Sequence, residues 1–88
     1  MKVIFKQSLA RDLKRIRDRS LLQRVQDVIE QLEQVSSLDE ISQIRKISDS
    51  KVYYRIRIGD YRLGLRLDDG SVTLVRFLHR KDIYRYFP

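Results

Sequence analysis

Tyr53-Tyr54-Arg55-Ile56-Arg57-Ile58-Gly59-Asp60-Tyr61-Arg62-Leu63-Gly64-Leu65-Arg66-Leu67 is the stretch that decides the fold. Two alternating runs flank Gly59-Asp60, a two-residue turn signal, so the segment predicts a β-hairpin. Successive strand side chains point to opposite faces. Tyr54, Ile56, Ile58, Tyr61, Leu63, Leu65 and Leu67 therefore share one apolar face, and Arg55, Arg57, Arg62 and Arg66 share the other. With Gly59 and Asp60 as the loop, Ile58 pairs with Tyr61, Arg57 stands opposite Arg62, and Gly64 faces Arg55. Like charges directly opposite each other destabilise a sheet. A chain that tolerates this cost points its guanidiniums at a polyanion. A glycine inside a strand marks either a close approach by another group or a local twist or bulge, and Gly64 is open to both readings.

Outward from the hairpin, Asp68-Asp69-Gly70 reads as a second tight turn and Ser71–Leu78 as the last long strand. Upstream, Arg45-Lys46-Ile47 fits an edge strand and Ser48-Asp49-Ser50 a turn. Lys2–Lys6 reads as an opening strand. Ser8 is the expected N-cap of a helix carrying Leu9, Leu13 and Ile16. After a break at Asp18-Arg19, a capping box of Ser20 and Gln23 is expected to open a second helix. That helix is amphipathic, with Leu21, Leu22, Val25, Val28, Ile29, Leu32 and Val35 on one face. A joint this short predicts an αα-hairpin. Ser37 and Glu40 form another capping box, with Leu38, Ile41 and Ile44 inward. The tail, His79–Pro88, is basic and aromatic and fits a helical turn. The order strand, two helices, antiparallel meander implies one α+β domain over residues 1–88.

The 88 residues carry 19 Lys and Arg against 12 Asp and Glu, a net charge of +7. Residues 1–44 hold eight cations and seven acids (8 − 7 = +1), and residues 45–88 hold eleven and five (11 − 5 = +6). The positive field is thus assigned to the second half. Eight of its eleven cations are Arg, which suits bidentate phosphate contact and base stacking. Nucleic acid is the leading partner. Solubility and docking of an acidic protein are the competing readings of the same charge. Absence of Cys excludes disulfides and thiolate metal sites. No secretory signal or membrane-length apolar run is evident, so a cytoplasmic protein without membrane contact is expected.

One His, no Cys and no His-x-x-x-His spacing argue against a zinc hydrolase, and there is no glycine-rich phosphate loop. Arg, Lys, a single His and tyrosines remain. This set suits RNA cleavage with no metal or other cofactor, because RNA carries its own 2′-OH nucleophile. Such a reaction needs proton transfer and cations around the phosphorane. His79 is the candidate for proton transfer, since histidine is the side-chain type that changes charge near neutrality. Its bland alternative is a hydrogen-bonded residue at a strand end. Arg80 follows it. Tyr84 and Tyr86 are candidates for base stacking, or with Phe87 for a hydrophobic latch on the sheet; the latch is the preferred reading of Tyr86 and Phe87.

These features resemble the RelE/ParE-type toxins of bacterial type II toxin–antitoxin modules. The resemblance spans essentially the whole chain. It rests on the order of elements and on two motifs, Tyr54-Arg55-Ile56-Arg57-Ile58-Gly59-Asp60-Tyr61-Arg62 and His79-Arg80-Lys81-Asp82-Ile83-Tyr84. It implies an αα-hairpin packed on a small, mainly antiparallel twisted sheet. In the RelE branch it also implies a ribosome-dependent endoribonuclease that cuts mRNA in the ribosomal A site, where codons are decoded. On that resemblance Arg55 and Arg57 contact RNA and assist proton transfer, Arg62 and Arg80 steady the scissile phosphate, and Tyr84 stacks on or orients the nucleotide. His79 matches a histidine of many members. Lys46, Lys51, Arg66 and Lys81 are the expected flanking RNA contacts. Arginine at 55 and 57 departs from the lysines of that branch and is a poor general base, because it stays protonated. The implied partners are a cognate antitoxin, the ribosome and its mRNA, with operator DNA reached only through the antitoxin complex. The ParE branch shares the fold but poisons DNA gyrase and cuts no RNA, which is the alternative function. A third reading keeps only antitoxin binding.

Overall fold

The computed structural model describes Met1–Pro88. Strand β1 (Lys2–Phe5) is followed by helices α1 (Gln7–Lys14) and α2 (Arg19–Gln34), and a single 3-10 turn (Leu38–Glu40). Strands β2 (Ile44–Lys46), β3 (Tyr53–Ile58), β4 (Tyr61–Asp68) and β5 (Ser71–His79) come next, and a one-turn helix α3 (Ile83–Tyr86) closes the chain. The sheet order is β1-β5-β4-β3-β2, antiparallel except for the parallel β1–β5 pair. The hairpin has the expected register, with Ile58 opposite Tyr61, Arg57 opposite Arg62 and Arg55 opposite Gly64.

The apolar hairpin face forms the core. Ile56, Ile58, Leu63 and Leu65 are buried beside Val72, Leu74 and Phe77 of β5, and Leu9, Leu21, Val25 and Leu32 of the helices pack onto them. Each such side chain contributes about 1.5–3 kcal/mol on leaving water. The helices lie mainly against the sheet, α1 on β5 and α2 on β1 and β3.

Two expected helix starts differ. Helix α1 begins at Gln7, so Ser8 lies within it, and its hydroxyl donates to the Val75 carbonyl at 2.6 Å. Helix α2 is capped by Asp18, not by Ser20 with Gln23. The Asp18 carboxylate accepts from the Ser20 and Leu21 amides at 3.0 and 3.2 Å, and from the Ser20 hydroxyl at 2.9 Å. Those bonds, the Leu21 amide first, hold its carboxyl below the ordinary range. Aspartate wins the cap because its carboxylate takes several donors at once. The Ser37–Glu40 capping box forms as expected.

Pairing of β5 with β1 stops at Leu74–Phe5, which leaves the β5 edge beyond Leu74 unpaired. Helix α1 covers it. Ser8 reaches the Val75 carbonyl, and Asp12, four residues on, accepts the Phe77 amide at 2.9 Å. Four helical residues rise about 6 Å and two strand residues span about 6.7 Å, so the two side chains match successive outward groups of the strand. Asp12 is buried and also takes the Arg76 guanidinium at 2.7 and 3.1 Å.

A bulge interrupts the β4–β5 ladder. Gly64 pairs with Arg76 and Leu65 with Leu74, so Val75 is the extra residue. Past it the alternation of β5 changes phase. Phe77 and His79, opposite Leu63 and Tyr61, then face the helices.

Candidate nucleic-acid interface

The arginine face is roofed at its centre by the tail. Turn residues after β5 reverse the chain, and the Arg80 amide donates to the Asp60 carbonyl at 2.8 Å. Helix α3 then buries Ile83, and Phe87 follows. The Phe87 ring lies over Gly64, where a Cβ would come within 2.8 Å of it, and edge-on to Tyr53 at 5.6 Å. Gly64 is thus a close-approach glycine, and what approaches is the chain's own tail. The latch consists of Ile83 and Phe87. Tyr86, expected in it, is instead exposed, 5.9 Å from the Arg76 guanidinium. Phe87 leaves the helical turn in an extended conformation, which carries its ring down onto Gly64, while Tyr86 stays on the turn and points to solvent.

Beside this latch opens a hollow of about 220 Å³ lined by Gln43, Arg45, Arg55, Arg57, Arg62 and Tyr84. Arg62 is its fixed point. Its guanidinium folds back to donate to the carbonyls of Gly59 and Tyr61 at 3.0 and 2.9 Å. Burial, then the nearby charges of Arg57, Arg55 and Arg80, push its pKa below the ordinary arginine value, with Tyr84 opposing. Tyr84, 69% exposed, sits with its ring 4.5 Å from the Arg55 guanidinium. The result is a preorganised concentration of cations with an aromatic plate at its rim, suited to an anionic, planar ligand such as a nucleotide. No group of three or more His, Asp or Glu side chains is placed to hold a metal ion.

Of the residues expected here, Arg55, Arg57, Arg62 and Tyr84 come together, and Arg80 adds to the field at Arg62. His79 does not join them. It pairs with Tyr61 on the helix side, 5.4 Å ring to ring, and its Nδ1 accepts the Lys81 amide at 3.1 Å. Arg66 lies beyond the Phe87 latch in a separate hollow and is paired with Asp68 at 3.1 Å. Lys46 borders a neighbouring hollow with Arg55, Tyr84 and Phe87. Lys51 and Lys81 are exposed in turns.

Sequence reasoning missed Arg45, Gln43 and Arg24. Arg45 stands opposite Arg55 across the β2–β3 pair, a placement readable once β2 is laid beside β3. Gln43 has a positive φ of 63°, and its carbonyl accepts the Arg57 amide at 3.0 Å. Arg24, on α2, borders a shallow continuation of the site with Gln43, Arg57 and Gly59. Only the tertiary packing of α2 brings it there, and no local motif signals it.

Comparison with known proteins agrees with this architecture. Residues 3–84 match the family described as the ParE toxin of the type II toxin–antitoxin system parDE. The chain is 38% identical to Toxin RelE3 of Methanocaldococcus jannaschii over 89 residues, covering all of both proteins. A crystal structure of a RelB–RelE antitoxin–toxin complex from Methanococcus jannaschii superposes with a TM-score of 0.82 at 35% identity, over 97% of this chain and 99% of that one. An archaeal RelE–RelB complex from Pyrococcus horikoshii shares the fold, with a TM-score of 0.73 at 19% identity over 90% and 93% of the two chains. With its helix-backed sheet and tail-roofed arginine hollow, the chain belongs to the RelE/ParE family of type II toxin–antitoxin toxins.

Proposed function

We propose that this toxin is a ribosome-dependent endoribonuclease that cuts mRNA in the ribosomal A site and is neutralised by a cognate antitoxin. One observation carries the reading: Arg55, Arg57 and Arg62 converge with Tyr84 on a single hollow, with Arg62 already clamped by its own turn. In the proposed step the 2′-oxygen attacks the adjacent phosphorus and the bond from phosphorus to the 5′-oxygen breaks. The products are a 2′,3′-cyclic phosphate and a 5′-hydroxyl. The 2′-OH proton is lost and the leaving 5′-oxygen gains one. Arg62, flanked by Arg57 and Arg80, holds the phosphorane charge, and Tyr84 orients the base over Arg55. Preorganised donors of this kind lower a barrier by about 3–4 kcal/mol each. Since His79 faces away from the hollow, its proposed part is to shape the turn that presents Arg80. Of the groups expected to assist proton transfer, Arg55 and Arg57 line the hollow and His79 does not. Lys46, Lys51 and Lys81 would contact flanking phosphates. Recovery of relatives as antitoxin complexes supports the antitoxin partner.

The test is incubation of a defined mRNA with the purified chain, with and without programmed ribosomes, followed by mapping of the ends. Cuts within the A-site codon, dependent on ribosomes and leaving 2′,3′-cyclic ends, are expected. The family description as ParE favours a second reading, a gyrase inhibitor without nuclease activity. Intact message together with double-strand DNA breaks in expressing cells would select it.

A further inference from the structure

Counted by halves, the charge excess falls on residues 45–88, but the fold redistributes it. Between positions 11 and 19 the chain carries Arg11, Lys14, Arg15, Arg17 and Arg19 against Asp12 and Asp18. Both acids are engaged internally. Asp12 is buried against Arg76 and the Phe77 amide, and Asp18 is drawn onto the first amides of α2. All five cations are exposed, and none has an ion-pair partner. Arg11 and Arg15 border one hollow with Ser8, Asp12 and Arg76.

Helix electrostatics explain only part of this cluster. Arg11, Lys14 and Arg15 lie at the C-terminal end of α1, where the dipole favours cations. Arg17 and Arg19 bracket the N-terminus of α2, whose first turn has no acidic residue. Cations there work against the dipole. Arg11 and Arg15 also repel each other as an i,i+4 pair. A surface that gathers like charges against its local preferences is shaped for an anionic partner. The large exposed apolar side chains are Ile4, Phe5, Tyr84 and Tyr86, none of them in this segment. Protein interfaces centre on apolar or aromatic anchors, whereas nucleic-acid interfaces are polar and strongly positive. The patch sits on the β5 side of the sheet, while the arginine hollow lies at the β2–β3–β4 side.

We propose that the exposed cations of the α1–α2 joint, Arg11, Lys14, Arg15, Arg17 and Arg19, grip the phosphate backbone of structured RNA at a second site away from the cleaved strand. The identity of that RNA as ribosomal rests on the proposed function; the contact itself does not. Two variants test it, R17Q/R19Q, expected to melt at or above wild type, and R11Q/R15Q/R17Q/R19Q. Each is titrated against a 20-base-pair RNA duplex of arbitrary sequence and against programmed ribosomes from about 50 to 200 mM salt. Affinity is expected to fall several-fold for the double variant and about 10–100-fold for the quadruple, with a shallower dependence on salt as phosphate contacts are lost. Cleavage at saturating ribosomes and antitoxin affinity should stay unchanged. Variants that bind RNA as wild type does overturn the proposal and leave the nuclease reading intact. Variants that lose antitoxin affinity instead overturn it in favour of an acidic protein partner. If wild type cuts nothing on ribosomes, the nuclease reading fails while the duplex titration still decides this one.

Discussion

The two faces of this sheet are closed by different means. The helix face is sealed by a continuous cluster of 13 buried side chains drawn from both helices, the 3-10 turn and strands β3–β5, with Ser8 and Asp12 sealing the β5 edge. The other face is touched by a short tail through Ile83 and Phe87, and the remainder is arginine. Stability is distributed on the first face and concentrated at a few points on the second. The difference shows where the molecule tolerates electrostatic cost. Crowded guanidiniums are tolerable on one face because the other holds the fold.

The largest expected effect tests this division directly. Arg62→Ala should lower ribosome-dependent cleavage about 10²–10³-fold, the effect of losing one preorganised charge-stabilising group. The same change should move the melting temperature little, because the loss of two bonds to the turn carbonyls of Gly59 and Tyr61 is set against relief of the crowded charge. The folded pKa of Arg62 lies below its unfolded value, so the folded state disfavours the charged form, and at neutral pH that penalty is fully present. A variant both inactive and strongly destabilised would mean that the arginine face helps to hold the fold, and the division would fail.

On the helix face the counterpart is Asp12. Asp12→Ala leaves the Arg76 guanidinium unpaired and the Phe77 amide without its acceptor at a buried edge. Removing one partner of a buried pair costs about 3–5 kcal/mol; Arg76 is partly exposed, so about 2–4 kcal/mol is expected here. Urea denaturation reads it as a lower midpoint with an unchanged slope. Cleavage per folded molecule should stay near wild type, since Asp12 borders a different hollow.

This contrast also marks what the sequence makes legible. The hairpin was readable residue by residue, because Gly59-Asp60 fixes the register and alternation fixes the faces. Arg55, Arg57 and Arg62 were placed together for that reason. The α+β layout followed from the change of period at Arg45. His79 was not placeable, because the bulge at Val75 reverses the alternation of β5. Its trace is there in Val72, Leu74 and Phe77, where the apolar spacing changes from two to three, but a spacing does not say which strand carries the partner. Asp12 and Asp18 counted as plain negative charges in a tally by halves, and only the fold reveals that both are engaged internally. Arg24 is brought to the site by packing alone. Contacts set by local geometry were visible, and those set by the docking of distant elements were not.

The next effect probes how the tail closes the arginine face. Gly64→Ala would place a methyl 2.8 Å from the Phe87 ring, so the ring must move. Overpacking of this kind costs about 1–3 kcal/mol. Phe87→Leu removes the ring and should recover part of that loss, giving a coupling of about 1 kcal/mol in a double-mutant cycle. Additive effects would mean that the latch already moves freely, and the arginine face would then be more open than its geometry indicates.

The smallest effect separates ring from hydroxyl at Tyr84. The side chain is largely exposed and makes a cation–π contact with Arg55. Tyr84→Ala should therefore change stability by less than about 1 kcal/mol. Base stacking on an aromatic ring is worth about 1–3 kcal/mol, so cleavage should fall about 10-fold or somewhat more. Tyr84→Phe keeps the plate and loses only the hydroxyl, and it should cut within about threefold of wild type if stacking is the whole contribution. Comparing the two variants at saturating ribosomes then decides the role. Equal losses in Tyr84→Phe and Tyr84→Ala would show that the phenol oxygen takes part in orienting the phosphate or moving a proton. The open face would then supply chemistry beyond charge, with a hydroxyl in a role that its arginines cannot fill.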